Sequence, residues 1–470
     1  MAGWESSDDI QIESVEEIID TNPDLYKQRA IVAINECRYK DALKEAQLAL
    51  KYGKQELQYH VLIVRTLLEM GQYEVCYKYL IGSKLWKNRK SEKLLPDERD
   101  YLYYTYARCF NECKFDVDKA DFIVVTDDGK GMYSNIQTAI AYHGDSKKSI
   151  YLTKGRYNES ICVIGQNIKI ECDNIERAVI TNPIQILKSN VKFENIEFYT
   201  ESDMVMLSAN DARCQLLNVI FRGKGKENKQ TGIQLTSCKS INLKDTTFEN
   251  LMIGVRAESK NVNIENCNVI NNKIGVLCAY KRTYQKSQSV VNCTESQIEK
   301  NEIGICAACN SQVDISKTSF ERNNDSVLCM SNSVTILKFS SETIEKEGVQ
   351  IYPNKLNVFS QGNSGHVNIR YCEILNSKNT GIANCDTGNV IVTNCKIIGS
   401  SSLGGLGYGV YAKDKGTINL SNCLLENNLK AIHTEGNAIV NKVNVRMINN
   451  DIFGVAIEGA KGIVNAFKFL

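Results

Sequence analysis

Apolar residues return every three or four positions through "LYKQRAIVAINECRYKDALKEAQLAL", from Leu25 to Leu50, which is the period of an amphipathic helix. The pattern breaks at Cys37-Arg38-Tyr39 and resumes at Ala42-Leu43, so two helices with a tight turn are expected. A second unit of the same kind follows in "LQYHVLIVRTLLEMGQYEVCYKYLIG". A third, near "DERDYLYYTYARCFNECKF", is offset and degenerate. The turn tyrosines Tyr39 and Tyr73 lie 34 residues apart, and the small residues Ala33, Ala42, Ala46 and Ala49 sit where helices approach closely. The sequence therefore predicts a helical-repeat domain over residues 25–115, after an acidic segment, residues 1–24.

From residue 116 to 470 the period shortens to two. Short alternating segments recur: "VNIENC" from Val262, "VDISKT" from Val313, "VNIRYC" from Val367, "VIVTNC" from Val390, "INLSNC" from Ile418 and "VNVRMI" from Val443. Asn-rich residues and a Gly-Val or Gly-Ile step follow, as at Gly275-Val276, Gly304-Ile305, Gly381-Ile382, Gly409-Val410 and Gly454-Val455; one rung has Ala431-Ile432. Several short strands per repeat, at a period of about 22 to 28 residues, predict a parallel β-helix. Equivalent positions then stack about 4.8 Å apart. Cys267, Cys372, Cys395 and Cys423 would form one apolar column, with Thr318 and Met447 at equivalent places. Asn272, Asn301, Asn323 and Asn428 would line a turn in the left-handed conformation. "GMYSNIQTAIAYH" reads as a short helix near 132–143, with Ile136, Ala139 and Ile140 on one face, capping the open end of the coil.

Two resemblances follow from these patterns. Over about 90 residues the first domain resembles the tetratricopeptide family. Residues 120–470 resemble the pectin-lyase-like superfamily, above all the entrance of pectin methylesterases, through the capping helix and the Gly155, Tyr157, Glu159 element of "SIYLTKGRYNESICV". The resemblance implies a right-handed parallel β-helix. It does not carry the superfamily's chemistry over. The pectin methylesterase segments resembling QAVAL, QDTL, DFIFG and LGRPW do not appear. The polygalacturonase signature is approached only by "SGHVNIR", which lacks the second glycine and an Asp-Asp neighbour. The clustered carboxylates of calcium-dependent lyases do not appear either. A β-helix joined to another module is similar to the SHC-SH2-binding-protein and F-box adaptor families, although no F-box pattern occurs in the first 50 residues. That similarity implies an adaptor, with microtubule-based structures, cytoskeletal or ciliary, as its setting.

Composition narrows the picture further. A net charge of +1 argues against a bulk nucleic-acid binder. The start of the chain has no Lys or Arg before Lys27, unlike a secretory or mitochondrial targeting signal. No apolar run is long enough for a membrane span. The 18 cysteines fall largely at apolar repeat positions, where cysteine acts as a small hydrophobe. They show no paired CxxC spacing, so the expectations are reduced thiols in a cytoplasmic setting, no metal and no cofactor. "SKLWKNRKSEK", with five basic residues from Lys84 to Lys93, is expected to be a solvated inter-helix loop.

The outward positions of the first strand of each rung are polar and mixed. They read Asn261, Asn263 and Glu265; Gln312, Asp314 and Ser316; His366, Asn368 and Arg370; Asn389, Ile391 and Thr393; Thr417, Asn419 and Ser421; and Lys442, Asn444 and Arg446. The second strand places Tyr411 and Lys413, His433 and Glu435, and Ala456 and Glu458 outward on successive rungs. Two carboxylates at rung spacing, Glu435 and Glu458, beside Lys413, His433 and Tyr411, form the candidate catalytic constellation, because such a pair can split its pKa values into acid and base roles. The bland reading is a solvated polar ladder. The expected function is a non-enzymatic scaffold whose helical domain and β-helix flank bind protein partners. The alternative is a carbohydrate-active or glycan-binding protein with Tyr408 and Tyr411 as stacking residues.

Overall fold

A computed structural model describes residues 21–54, 56–143, 149–175, 177–279, 289–309, 311–330, 334–337, 350–351, 356–361, 366–377, 380–385, 387–400, 407–458 and 463–467. The chain divides into two compact units, Met1–Lys114 and Phe115–Leu470. Most of the acidic N-terminal segment lies outside the described residues.

The first unit is helical. Its helices are α1 (Pro23–Asn35), α2 (Tyr39–Tyr52), α3 (Leu57–Glu69), α4 (Tyr73–Gly82), α5 (Lys84–Lys87) and α6 (Pro96–Cys113). Asn22 caps α1, its Oδ1 accepting the Asp24 N–H at 3.0 Å, and Pro23 supplies a preset first turn. Cys37 turns the chain with φ 57. Tyr39 and Tyr73 open α2 and α4 instead of sitting in the turns. Ala30 and Ala33 of α1 and Ala42, Ala46 and Ala49 of α2 are buried, as small residues must be where two helix backbones approach. The basic stretch is not simply a solvated loop. Its first residues form α5, which buries Leu85 and Trp86. Trp86 stacks on Tyr106 of α6 at 4.6 Å, and the Arg89 guanidinium lies over the indole at 4.8 Å. The lysines are outward, but apolar residues between them override the charge.

The second unit is a coil of three parallel sheets. Among the described residues, sheet 1 has 15 strands and begins at Ile123–Val125. Sheets 2 and 3 have 13 described strands each and begin at Gly155–Tyr157 and Ile161–Ile164. Each rung contributes one strand to each sheet and pairs only with the rungs before and after it. Alternate residues point inward and make one continuous apolar core. Phe198, Phe221 and Phe248 stack in it at 4.7 and 5.0 Å. The rungs begin well before Val262: Val191, Cys214 and Ile241 precede it in the same column.

The end cap is α7 (Ile136–His143), shorter than the expected 132–143. Its inner residues Ile136, Ala139 and Ile140 are buried. Glu159 of the first rung closes its N-terminus, accepting the Ile136 N–H at 2.7 Å and the Gln137 N–H at 3.0 Å, where a carboxylate is favoured by the helix dipole. Gln137 pairs in both directions with the Cys162 backbone, at 3.2 and 2.7 Å. The Tyr157 hydroxyl lies within hydrogen-bond distance of the Val125 and Thr153 carbonyls. Glu159→Ala should therefore cost about 1–2 kcal/mol and speed amide exchange at Ile136 and Gln137. Unchanged exchange at both amides would show that the cap holds without this carboxylate.

Corners between sheets are made by residues with positive φ. The sequence placed the buried asparagines in these left-handed positions; the structure corrects this, since the residue before each one takes the positive φ. Asn271, Lys300, Arg322, Asn427 and Asn449 have φ between 51 and 58. The following Asn272, Asn301, Asn323, Asn428 and Asn450 stay buried and bond along the stack, Asn272 Nδ2 to Asn301 Oδ1 at 3.0 Å and Asn301 Nδ2 to Asn323 Oδ1 at 3.0 Å. Next to this column, rungs approach too closely for a side chain at Gly275, where an added Cβ would lie 2.5 Å from the Gly304 carbonyl oxygen and 2.7 Å from Val269.

One sequence-derived register fails. Ile418 pairs with Val440, not Val443, and Leu424 pairs with Arg446. The cysteine column therefore continues from Cys423 to Val445, while Met447 aligns with Leu425 in sheet 2. The outward set is Ile439, Asn441 and Val443, and Lys442 takes the inward register of Leu420. The "VNV" at 443 imitates a rung start, but the true counterpart of Ile418 is Val440, three residues earlier.

Candidate functional site

The candidate constellation lies on sheet 3. Its strands Tyr408–Ala412 and Lys430–Glu435 are parallel neighbours, with Tyr408 opposite Lys430 and Tyr411 opposite His433. Glu435 is in register with Glu458; the Glu458 side chain lies outside those described. Strand periodicity aims His433 away from the core, yet it is 0% exposed, which corrects the solvated ladder expected from the sequence. It is buried by its neighbours: its ring stacks on Tyr408 at 4.5 Å and on Tyr411 at 5.6 Å. Tyr408 is itself buried and carries Lys430 Nζ at 5.3 Å from its centroid. The periodicity of a strand shows which way a side chain points and not what covers it.

Glu435 is the hub. The Tyr411 hydroxyl donates to its Oε2 at 2.9 Å, and His433 Nε2 lies 3.2 Å from its Oε1. Lys413 Nζ stands 3.9 Å from Oε2. Partial burial pushes the carboxyl up, but the Tyr411 and His433 hydrogen bonds and the Lys413 charge more than offset it, so its pKa lies below the usual glutamate value. Burial, then the Glu435 carboxylate, push the Tyr411 phenol well up. A general acid in a split pair needs the opposite shift. The arrangement holds Glu435 ionised and pins two rings against it.

The remaining described flank is knitted from rung to rung. Lys169 bridges Glu171 and Glu194 at 2.6 and 3.1 Å. Arg222 joins Glu197 to Glu249, and Lys396 holds Glu373 at 2.8 Å. Sheet 1 carries a shallow groove of about 480 Å³ lined by Lys192, Gln215, Asn242, Lys244, Asn263 and Asn292, among others. Along its floor Asn263 Nδ2 donates to Asn242 Oδ1 and Asn292 Nδ2 to Asn263 Oδ1, each at 2.9 Å. Sequence reasoning missed this groove because it singled out carboxylates. The outward asparagine that recurs at the second position of several rungs, Asn242, Asn263 and Asn292 among them, was the available signal. Among the described residues no group of three or more His, Cys, Asp or Glu side chains is placed to hold a metal, and no helix is long and apolar enough to cross a membrane.

A family model described as a right-handed β-helix region matches residues 282–452. The coil is a right-handed β-helix. No curated protein matches the chain. Among solved structures, the chain is similar to one titled the crystal structure of Agl-KA catalytic domain, at 12% identity and a TM-score of 0.29. That match covers 68% of this chain and 64% of the other, so the chain spans less than two thirds of its length.

Proposed function

We propose that this protein is a non-enzymatic scaffold in which the helical unit, read as tetratricopeptide-like, receives a protein partner and the β-helix flank offers a second, rigid docking surface. The observation that carries this reading is the state of Glu435. It is hydrogen-bonded by Tyr411 and His433 and held ionised, so the most reactive-looking group on the flank serves to fix a buried ring stack. Elsewhere on the coil Glu194, Glu197 and Glu373 are likewise engaged by lysine or arginine across rungs. Charges already neutralised by fixed partners are poorly placed to stabilise a developing transition-state charge. The cysteines are all free thiols, and most are buried, which supports a reducing, cytoplasmic setting. A rod built from contacts between adjacent rungs suits an assembly that needs fixed spacing, cytoskeletal or ciliary.

The sheet 1 groove favours a second reading, a glycan-binding protein. Its amide ladder offers neutral donors and acceptors at rung spacing, the chemistry that hydroxyl-rich chains need. One experiment separates the two. The purified chain is incubated with a panel of polysaccharides, and turnover and binding are both followed. The scaffold reading expects neither. Turnover that disappears in Glu435→Gln would overturn it. Binding without turnover, weakened by Asn263→Ala, would establish the second reading in its place.

A further inference from the structure

The helical unit contains a buried histidine that the scaffold reading does not use. His60 lies on α3, 7% exposed. Its Nδ1 is 2.7 Å from the Tyr79 hydroxyl of α4, and the rings are 5.8 Å apart. Its Nε2 is buried with no hydrogen-bond partner. Lys84, the first residue of α5, is near enough to disfavour a charge on the ring, and the titratable group bonded to it is Tyr79. Burial pushes the Tyr79 phenol up to about 12, so it stays neutral throughout the range in which an imidazole titrates. Burial, and then Lys84, lower the His60 pKa below its usual value.

We propose that His60 is an acid-sensitive latch that keeps α5 and the basic stretch after it docked in the helical unit, where α5 lies against α3 and Trp86 packs on α6. In the neutral ring one nitrogen carries the proton. With that proton on Nδ1, directed to Tyr79, the buried Nε2 is a bare lone pair at modest cost. Protonation makes both nitrogens donors. The new N–H finds no acceptor, and the new charge faces Lys84 in a poorly solvated site. The weakest element in contact is α5. It is four residues long, too short to persist as an isolated helix, and it is held to the unit by buried Leu85 and Trp86. Acid therefore displaces α5 first, and Lys84, Lys87, Arg89, Lys90 and Lys93 become a mobile cationic segment. The sign follows from linkage. The unfolded chain binds the proton more readily than the folded one, so the latch is intact above about pH 6.5 and weakens as pH falls from there towards the lowered folded value.

The chain has two tryptophans and four histidines, which makes the test direct. In full-length protein carrying Trp4→Phe, Trp86 reports the docking of α5. Its emission should shift to the red as pH falls from 7.5 to 5, together with the imidazole titration of His60 followed by NMR, at a midpoint below about 6.5. In the same background His60→Gln should abolish the shift. An emission that stays constant over this range would overturn the proposal. So would the same transition in the His60→Gln protein, or a His60 titration unaccompanied by any change at Trp86. Should His60→Gln fail to fold, the coincidence of the two signals in the otherwise native chain decides the matter.

Discussion

Asn301→Leu should lower the unfolding free energy of the β-helix by about 3 kcal/mol or more. Its side chain joins three rungs. Oδ1 accepts from the Asn272 backbone N–H at 2.8 Å and from Asn272 Nδ2 at 3.0 Å, while Nδ2 donates to the Val269 carbonyl at 2.9 Å and to Asn323 Oδ1 at 3.0 Å. Asn272, Asn301 and Asn323 are all buried. Leucine fills a comparable volume but strands the Asn272 N–H and the Val269 carbonyl away from water, each at about 1–3 kcal/mol. Asn301→Asp keeps the acceptors, removes the donor and adds a buried charge beside a carbonyl, so it should be no milder. Urea unfolding of the three proteins checks this. A loss below about 1 kcal/mol for Asn301→Leu would mean that the column is a passive filler.

Cys395→Asp should cost on the order of 3 kcal/mol or more, because an ionised carboxylate would stand among buried side chains without a cation. Cys395 is 2% exposed, and burial raises its thiol pKa well above the usual value, which already shows how poorly the site accepts an anion. The structure refines the comparison. Cys395 Sγ accepts the Cys372 N–H at 3.4 Å and lies 3.2 Å from the Thr393 carbonyl. Earlier in the same corner column Ser296 Oγ accepts the Cys267 N–H at 3.1 Å and reaches the Thr294 carbonyl at 2.8 Å. Position 395 is thus a hydrogen-bonding site as well as an apolar one. Cys395→Ser should be the mildest change. Cys395→Val should lose about 1 kcal/mol by leaving the Cys372 N–H unpaired. Equal, small effects of Asp and Val in thermal unfolding would contradict the burial.

The same column explains what the sequence could and could not disclose. Val262, Val313, Val367, Val390 and Ile418 announce their rungs because inward β-branched residues alternate with polar ones. Val191, Cys214 and Ile241 occupy equivalent positions, but phenylalanine, leucine and cysteine around them dilute the motif. Cysteine, serine and threonine interchange at the corner because each offers an atom that accepts one backbone N–H, an equivalence invisible to hydropathy. Val443 misled because a stretch with the right alternation slid past the true register by three residues, and only pairing with the rung before decides such a slip. The site suffered in a different way. Tyr411, His433 and Glu435 were legible as neighbours on successive rungs, since spacing alone places them. The burial of His433 was not legible, because it depends on two rings of the preceding rung's strand, Tyr408 and Tyr411, closing over it. Trp86 was hidden similarly: the lysines around it dominate the local composition, while its partner Tyr106 lies 20 positions further on.

Corner segments absorb most of the variation in rung length; one extra residue is taken up within sheet 3, where Lys430 pairs with Ile452 but Ile432 with Val455. Ile241 to Val262 spans 21 residues and Val262 to Val291 spans 29, yet both steps keep perfect pairing in sheet 1. Such a molecule can lengthen during evolution only in whole turns. Duplicating one complete turn adds about 4.8 Å to the rod and leaves every asparagine, glycine and corner column with a neighbour of its own kind. Inserting a single residue within a strand reverses each side chain downstream in that strand and breaks three columns together. The β-helix is in this sense a ruler with fixed graduations, and relatives that need a different reach should differ from it by integral turns, with odd-sized additions confined to the corners.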